Sequence, residues 1–151
     1  MKVILSLVLI LSIIFGLSQS QQIWDYCSDN NNALFDIQTL TATPNPPIIG
    51  KPVVVNLNGN LESDVTAGSS TFSLQYYIAG AWRNLPTFTN DVCSIVSCPV
   101  KAGPFQFNTT INVPIITPPG QYRGSLQLVD QSQQNIACLV FNTTMGYSFD
   151  Y

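Results

Sequence analysis

From Phe105 to Val113 the chain alternates without a break. Phe105, Phe107, Thr109, Ile111 and Val113 fall on one parity, and Gln106, Asn108, Thr110 and Asn112 on the other. Successive side chains of an extended chain point to opposite faces, so this stretch predicts a strand with one buried face and one wet face. The pattern recurs. Val53, Val55, Leu57, Gly59 and Leu61 alternate with Val54, Asn56, Asn58 and Asn60. Phe72, Leu74, Tyr76 and Ile78 share a face, as do Tyr122, Gly124, Leu126 and Leu128. An earlier strand is expected over 33–43, with Phe35 and Ile37 on one face, and a last one over 136–145. Turn signals separate these runs: Pro44-Asn45-Pro46-Pro47, Gly50-Lys51-Pro52, the polar stretch 62–70, Gly80 and Pro118-Pro119-Gly120. Trp82, Leu85, Pro86 and Phe88 are less regular and read as a short strand or a loop. No segment has helical periodicity. Strands punctuated by turns, with no repeat and no composition break, predict one all-β domain, an antiparallel sandwich or barrel.

The first residues have a different character. Met1-Lys2 is followed by an apolar run from Val3 to Leu17, then by Ser18 and Ser20. One cation, an apolar core of about 15 residues and small residues after it read as a secretory signal peptide, expected over 1–20, with the domain over 21–151. Removing it takes away Lys2 and leaves Lys51, Arg83, Lys101 and Arg123 against eight acids, a formal net charge of −4. That balance offers no basic patch for nucleic acid. Solubility rests instead on Asn, Gln, Ser and Thr, as in Asn30-Asn31-Asn32 and Gln131-Ser132-Gln133-Gln134.

The four cysteines are Cys27, Cys93, Cys98 and Cys138. An even number in a secreted chain implies two disulfides, in one of three pairings. Loop-closure entropy assigns roughly 5 kcal/mol to Cys27–Cys138 and roughly 2 to Cys93–Cys98, against roughly 4 each for Cys27–Cys93 with Cys98–Cys138, which does not decide between them. Layout favours the nested pairing, which ties the first element to the last and closes one small loop before the strand at Phe105. Asn108-Thr109-Thr110 and Asn142-Thr143-Thr144 are glycosylation sequons, so Asn108 and Asn142 are expected to face solvent.

The chemistry the residues allow is narrow. The chain has no histidine, which removes Ser-His-Asp and Cys-His catalysis and most zinc sites. Oxidised cysteines offer no thiol nucleophile. Of the acids only Glu62 and Asp64 are close in sequence, and they stand in a polar turn. No glycine-rich phosphate loop follows a strand. Neither a catalytic nor a metal site is expected, and no cofactor. True immunoglobulin landmarks are also missing. Trp82 comes too late after Cys27, and Asp91 stands where a tyrosine would precede Cys93.

The order of landmarks resembles the ML, or MD-2-related lipid-recognition, family, and is most similar to its NPC2-like branch of phosphatidylglycerol/phosphatidylinositol transfer proteins. The residues that carry the resemblance are Trp24-Asp25-Tyr26-Cys27-Ser28, Pro44-Asn45-Pro46-Pro47 with Gly50-Lys51-Pro52, and Cys98-Pro99-Val100-Lys101-Ala102-Gly103. Pro118-Pro119-Gly120-Gln121-Tyr122 and Cys138 complete the series, which covers roughly 23–145. The resemblance implies an immunoglobulin-like sandwich of two antiparallel sheets holding a lipid between them, and the disulfides Cys27–Cys138 and Cys93–Cys98. Sterol-binding members typically carry a further short disulfide loop after the first cysteine; this chain has Asn and Asp there, which fits the phospholipid branch.

The inward parity of the strands supplies the walls such a cavity needs: Val53, Val55, Leu57, Phe72, Leu74, Tyr76, Phe105, Phe107, Ile111, Leu126 and Leu128. An ordinary packed sandwich core would use the same residues. Lys101, beside the small disulfide loop, is the candidate contact for an anionic headgroup. The resulting expectation is a monomeric, secreted or endolysosomal carrier of one phospholipid, touching membranes transiently. Sterol binding and transport is the second reading. A secreted recognition module acting through a protein partner is the third.

Overall fold

Each alternating run forms a strand in the computed structural model, which describes residues 22–28, 30 and 32–148; the expected leader over 1–20 lies outside them. The strands are β1 (Trp24–Tyr26), β2 (Phe35–Thr43), β3 (Pro52–Leu61), β4 (Gly68–Ile78) and β5 (Ala81–Asn84). They continue as β6 (Phe88–Asp91), β7 (Gly103–Asn112), β8 (Gly120–Asp130) and β9 (Asn135–Met145), with a single 3-10 turn at Val92–Ser94. One sheet runs β1-β9-β8-β4-β5, with β6 also pairing β4; the other runs β2-β3-β7. All the strand pairs are antiparallel. The fold is an immunoglobulin-like antiparallel β-sandwich.

Register places the apolar parity of β2, β3, β4, β7 and β8 on the inner face; on β5 it is Arg83 that takes the inner position and Trp82 the outer one. In the smaller sheet the inner rows are Ile37–Gly59–Phe105, Leu40–Leu57–Phe107 and Ala42–Val55–Thr109. In the larger sheet they include Phe72–Leu126–Leu139 and Leu74–Gly124–Phe141. Two glycines are there for close approach. A Cβ on Gly59 would lie 2.6 Å from the Phe35 ring, and one on Gly124 would clash with the Phe141 ring. The glycines thus leave floor for two inward rings. Phe35 meets Phe105 edge-on at 5.9 Å, and Phe141 stacks on Phe72 at 5.6 Å.

The irregular middle of the chain resolves into two strands, because the Leu85-Pro86-Thr87 step breaks the pairing and β5 and β6 each cover part of β4. The Trp24–Tyr26 strand, which three residues cannot announce by periodicity, adds an edge beside β9.

A bulge between Ile37 and Thr39 shifts the phase of β2, so that Phe35, Ile37, Leu40 and Ala42 all face inward. It also leaves backbone groups for the opposite sheet to satisfy. Tyr26 Oη accepts the Ile37 N–H at 3.1 Å, and Trp24 Nε1 donates to the Leu40 carbonyl at 3.0 Å. Two aromatic side chains of β1 thus tie one sheet to the other along the β1–β2 seam. The Cys27–Cys138 disulfide lies beside them and the Cys27 N–H donates to the Cys138 carbonyl. The second disulfide is Cys93–Cys98, so the nested pairing is the one present.

Candidate functional site

The packed core is off centre. Phe35, Ile37, Leu61, Val65, Ile136 and Leu139 form one buried cluster, with Leu57, Phe105 and Leu128 packed against it. All lie toward the end of the sandwich where Leu61 pairs with Phe35 and Gly103. The small disulfide loop closes this end. Val92 in its 3-10 turn is buried, Asp91 accepts the Cys93 N–H, and Val100 bridges to the buried Val65.

Toward the other end Val53, Tyr122 and Ile49 are also buried, but much of the remaining inner surface is less covered. Val55, Phe72, Leu74, Tyr76, Phe107 and Leu126 are only half-buried although they face the opposite sheet. The inner row Ala42–Val55–Thr109 has small side chains. Edge residues are more open still: Ile111 on β7 and Phe88 on β6 are each 55% exposed. Between the sheets the backbones come nearest where β2 faces β9, on the tied seam. The sandwich is therefore closed along β1–β2 and at the small disulfide loop, and apolar but loosely covered along β7 and β5–β6.

Of the eleven expected cavity residues, Val53 is buried, and Leu57, Phe105 and Leu128 join the packed cluster. The other seven line the loosely covered half. Sequence reasoning passed over Phe141, Phe88 and Tyr122. The signal for Phe141 was present in the glycine opposite it, since Gly124 pairs with Phe141 across β8 and β9.

Tyr122 and Tyr76 anchor the loop between β7 and β8. Their rings lie 4.9 Å apart, and their hydroxyls donate to the Pro118 and Pro119 carbonyls at 2.6 and 3.0 Å. Burial, and secondarily the neighbouring Tyr76, push the Tyr122 hydroxyl above its ordinary range. A raised folded value means that this anchorage is intact below the unfolded tyrosine value of about 10 and is lost as pH rises through the folded one. Tyr122→Phe is expected to cost about 1 kcal/mol at neutral pH and to lose part of the alkaline destabilisation of the parent chain. Thermal melts from about pH 8 to about pH 11 check this; curves that stay parallel across that range would contradict it.

With its base held, the β7–β8 loop projects Ile115 and Ile116, 72% and 87% exposed. Gly50 lies against Ile115, and the Gly50 N–H donates to the Val113 carbonyl, so Lys51 stands beside this loop. Lys51 and Arg83 form no ion pair among the described residues, and both are exposed. Arg83 shares the inner register position with Tyr76.

Lys101 stands beside the small disulfide loop. It precedes β7 at the packed end, 74% exposed, and donates to Asp64 at 2.7 Å. The Ala102 N–H donates to the other Asp64 oxygen at 2.9 Å. The Lys101 bond, then the Ala102 bond, hold the Asp64 carboxyl below its ordinary range. Its structural role is to fasten the turn at 62–64 to the start of β7. Asp36, Glu62, Asp91 and Asp130 lie toward the same end. Five of the six described acids thus gather at the packed end, Asp25 on β1 being the exception, and the unpaired cations Lys51 and Arg83 lie at the other.

Both sequon asparagines are exposed on outward faces, Asn108 on β7 and Asn142 on β9. Among the described residues no group of three or more His, Cys, Asp or Glu is placed to hold a metal ion. A groove of about 470 Å³ is present on the outer face of the larger sheet, lined by residues that include Gln75, Arg123 and Asn142.

The chain is a two-sheet antiparallel sandwich tied on one seam, with apolar inner faces that are loosely covered on the other. The family model described as the ML domain matches residues 21–145, and the chain belongs to that family. A putative phosphatidylglycerol/phosphatidylinositol transfer protein of Dictyostelium discoideum is 49% identical over 137 residues, 91% of this chain and 94% of that protein. A phosphatidylglycerol/phosphatidylinositol transfer protein of Aspergillus fumigatus is 27% identical over 116 residues, 76% of this chain and 66% of that protein. Among solved structures, chicken MD-1 complexed with lipid IVa superposes with a TM-score of 0.60 at 14% identity, over 80% of this chain and 86% of that one. A Niemann-Pick type C2 protein from the Japanese carpenter ant gives 0.58 at 14% identity, over 82% and 99%.

Proposed function

We propose that this protein binds one phospholipid with its acyl chains between the sheets and carries it between membranes. The observation that carries the reading is the half-exposed inner apolar surface on the β7 and β5–β6 side of a sandwich tied firmly along β1–β2. The relatives named as phosphatidylglycerol/phosphatidylinositol transfer proteins support an anionic glycerophospholipid as cargo. The reading assigns no bond-making step to any residue.

Energetics suit exchange. Each methylene moved from water to an apolar surface gains about 0.8 kcal/mol, and a chain passing from bilayer to protein loses and regains that amount. The headgroup stays in water on the loosely covered side, toward the end where Lys51 and Arg83 supply unpaired positive charge. The expected headgroup role thus moves from Lys101, already engaged with Asp64, to these two. The same end offers Ile115 and Ile116 to a bilayer, while the acids at the packed end turn away from an anionic surface. The leader over 1–20, removed to leave the domain over 21–151, and the two disulfides support a secretory route, to the cell exterior or the endolysosomal lumen.

The test is transfer of fluorescent phosphatidylglycerol between vesicles by the mature protein. Replacing both Ile115 and Ile116 with Asp is expected to slow transfer at least about tenfold, because each buried isoleucine gains about 1.5–3 kcal/mol. Lipid already bound should be unchanged in amount. Unaltered transfer in the double variant would remove the loop from the mechanism, and absence of transfer by the parent chain would overturn the carrier reading.

A further inference from the structure

We propose that the groove on the outer face of the larger sheet is the seat of an N-linked glycan on Asn142, whose first sugars lie across the sheet. The inference rests on the secretory route proposed above and is independent of what lies between the sheets.

The groove is built by register. Asn142 on β9 is opposite Arg123 on β8, Arg123 is opposite Gln75 on β4, and Gln75 is opposite Asn84 on β5. Four polar side chains therefore form one row across four strands on the outward face. The next position along, Ser73 opposite Ser125, carries two of the smallest polar side chains, and the surface sinks there. Val140 on one side and Leu85 on the other, each 36% exposed, give the depression apolar flanks.

The row is fixed in place. Gln75 donates to Asn84 at 2.5 Å, and Arg123 Nε donates to Gln75 at 2.5 Å. The Arg123 guanidinium lies 4.4 Å over the Trp82 ring, which Tyr77 supports from 5.2 Å. Stacking and one hydrogen bond orient the guanidinium and leave its terminal N–H groups as donors beside the depression.

Amides, a guanidinium, hydroxyls and small apolar flanks are complementary to a pyranose, which presents hydroxyls at its rim and C–H groups on its faces. A volume of about 470 Å³ falls in the range of small-molecule sites. What selects the chain's own glycan as occupant is the position of Asn142. It is exposed, it begins the sequon Asn142-Thr143-Thr144, and it is itself part of the groove wall. A sugar on its amide starts inside the site, so it pays no translational entropy to reach it. Asn108 differs, because it stands on the edge strand β7 with its amide donating to Asn56.

The test uses the full chain secreted from a eukaryotic host. Glycopeptide mass spectrometry reads occupancy at both sequons, and peptide N-glycosidase is then applied to the native protein. The Asn142 glycan is expected to be released at least about tenfold more slowly than the Asn108 glycan, as one or two added hydrogen bonds require. Denaturation should erase the difference. Ser125→Phe, which fills the depression, should bring native release at Asn142 to the Asn108 rate, and Arg123→Ala should do the same with the floor intact. Asn142 unmodified while Asn108 is occupied would overturn the inference and leave the route standing. Equal native release rates would also overturn it. No glycan at either site would also overturn the inference, while the lipid reading would still be judged by lipid content.

Discussion

Loss of the long disulfide, by replacing both Cys27 and Cys138 with Ala, is expected to destabilise the chain by about 5 kcal/mol through loop-closure entropy. The bridge spans 111 positions, whereas Cys93–Cys98 spans 5 and should contribute only about 2 kcal/mol. For a domain of this size the larger loss lowers the melting temperature by about 15–25 °C. The position of the bridge adds a structural reason. It lies next to Trp24 and Tyr26, which reach across to the bulged β2 backbone, so its loss frees the β1 edge that ties the two sheets. Thermal unfolding of the two double variants under oxidising conditions checks this. Equal losses in the two would contradict the account.

Filling the space in front of the small inner row should have the opposite signature. Val55→Trp places a large ring in the row of small side chains Ala42–Val55–Thr109, the space the proposed lipid would occupy. In a tightly packed core such an insertion costs about 1–3 kcal/mol. Here the half-covered surroundings are expected to accept the ring with little loss of stability, and bound phospholipid should fall at least tenfold, which is about 1.4 kcal/mol in binding. Phe35→Ala is the contrasting variant. It removes a buried ring from the packed end and should cost about 3–5 kcal/mol of stability. Lipid counted per folded molecule, read beside the melting temperature, separates the two. A Val55→Trp protein that keeps its full lipid load would show that the cargo does not occupy this space.

The sequence carried much of the fold, because alternation reports directly which side chains share a face. Every run of alternating residues forms a strand, with ends within a few positions. Three features escaped for physical reasons. A strand of three residues, Trp24–Tyr26, is shorter than any period it could display. The bulge at Ile37/Thr39 breaks the parity of β2, so Leu40 and Ala42 seem to leave the face that Phe35 defines. The break at Pro86 divides what covers β4 into two strands.

The site was less legible. Parity tells which residues face inward, but not which end of a sandwich is packed and which is open. That depends on the small disulfide loop carrying Val92 and Val100 over the core, and on the tyrosines that hold the β7–β8 loop. Lys101 illustrates the difference. Its chemistry suits a phosphate, but Asp64, 37 positions earlier, is brought within 2.7 Å by the fold. The cations left unpaired at the open end, Lys51 and Arg83, carry no mark in the sequence that separates them from other surface charges.

Native mass spectrometry of the secreted, deglycosylated protein, followed by lipid extraction, tests the central claim most directly. The account predicts a one-to-one complex that releases a glycerophospholipid. Protein that stays empty after incubation with mixed anionic vesicles would contradict it.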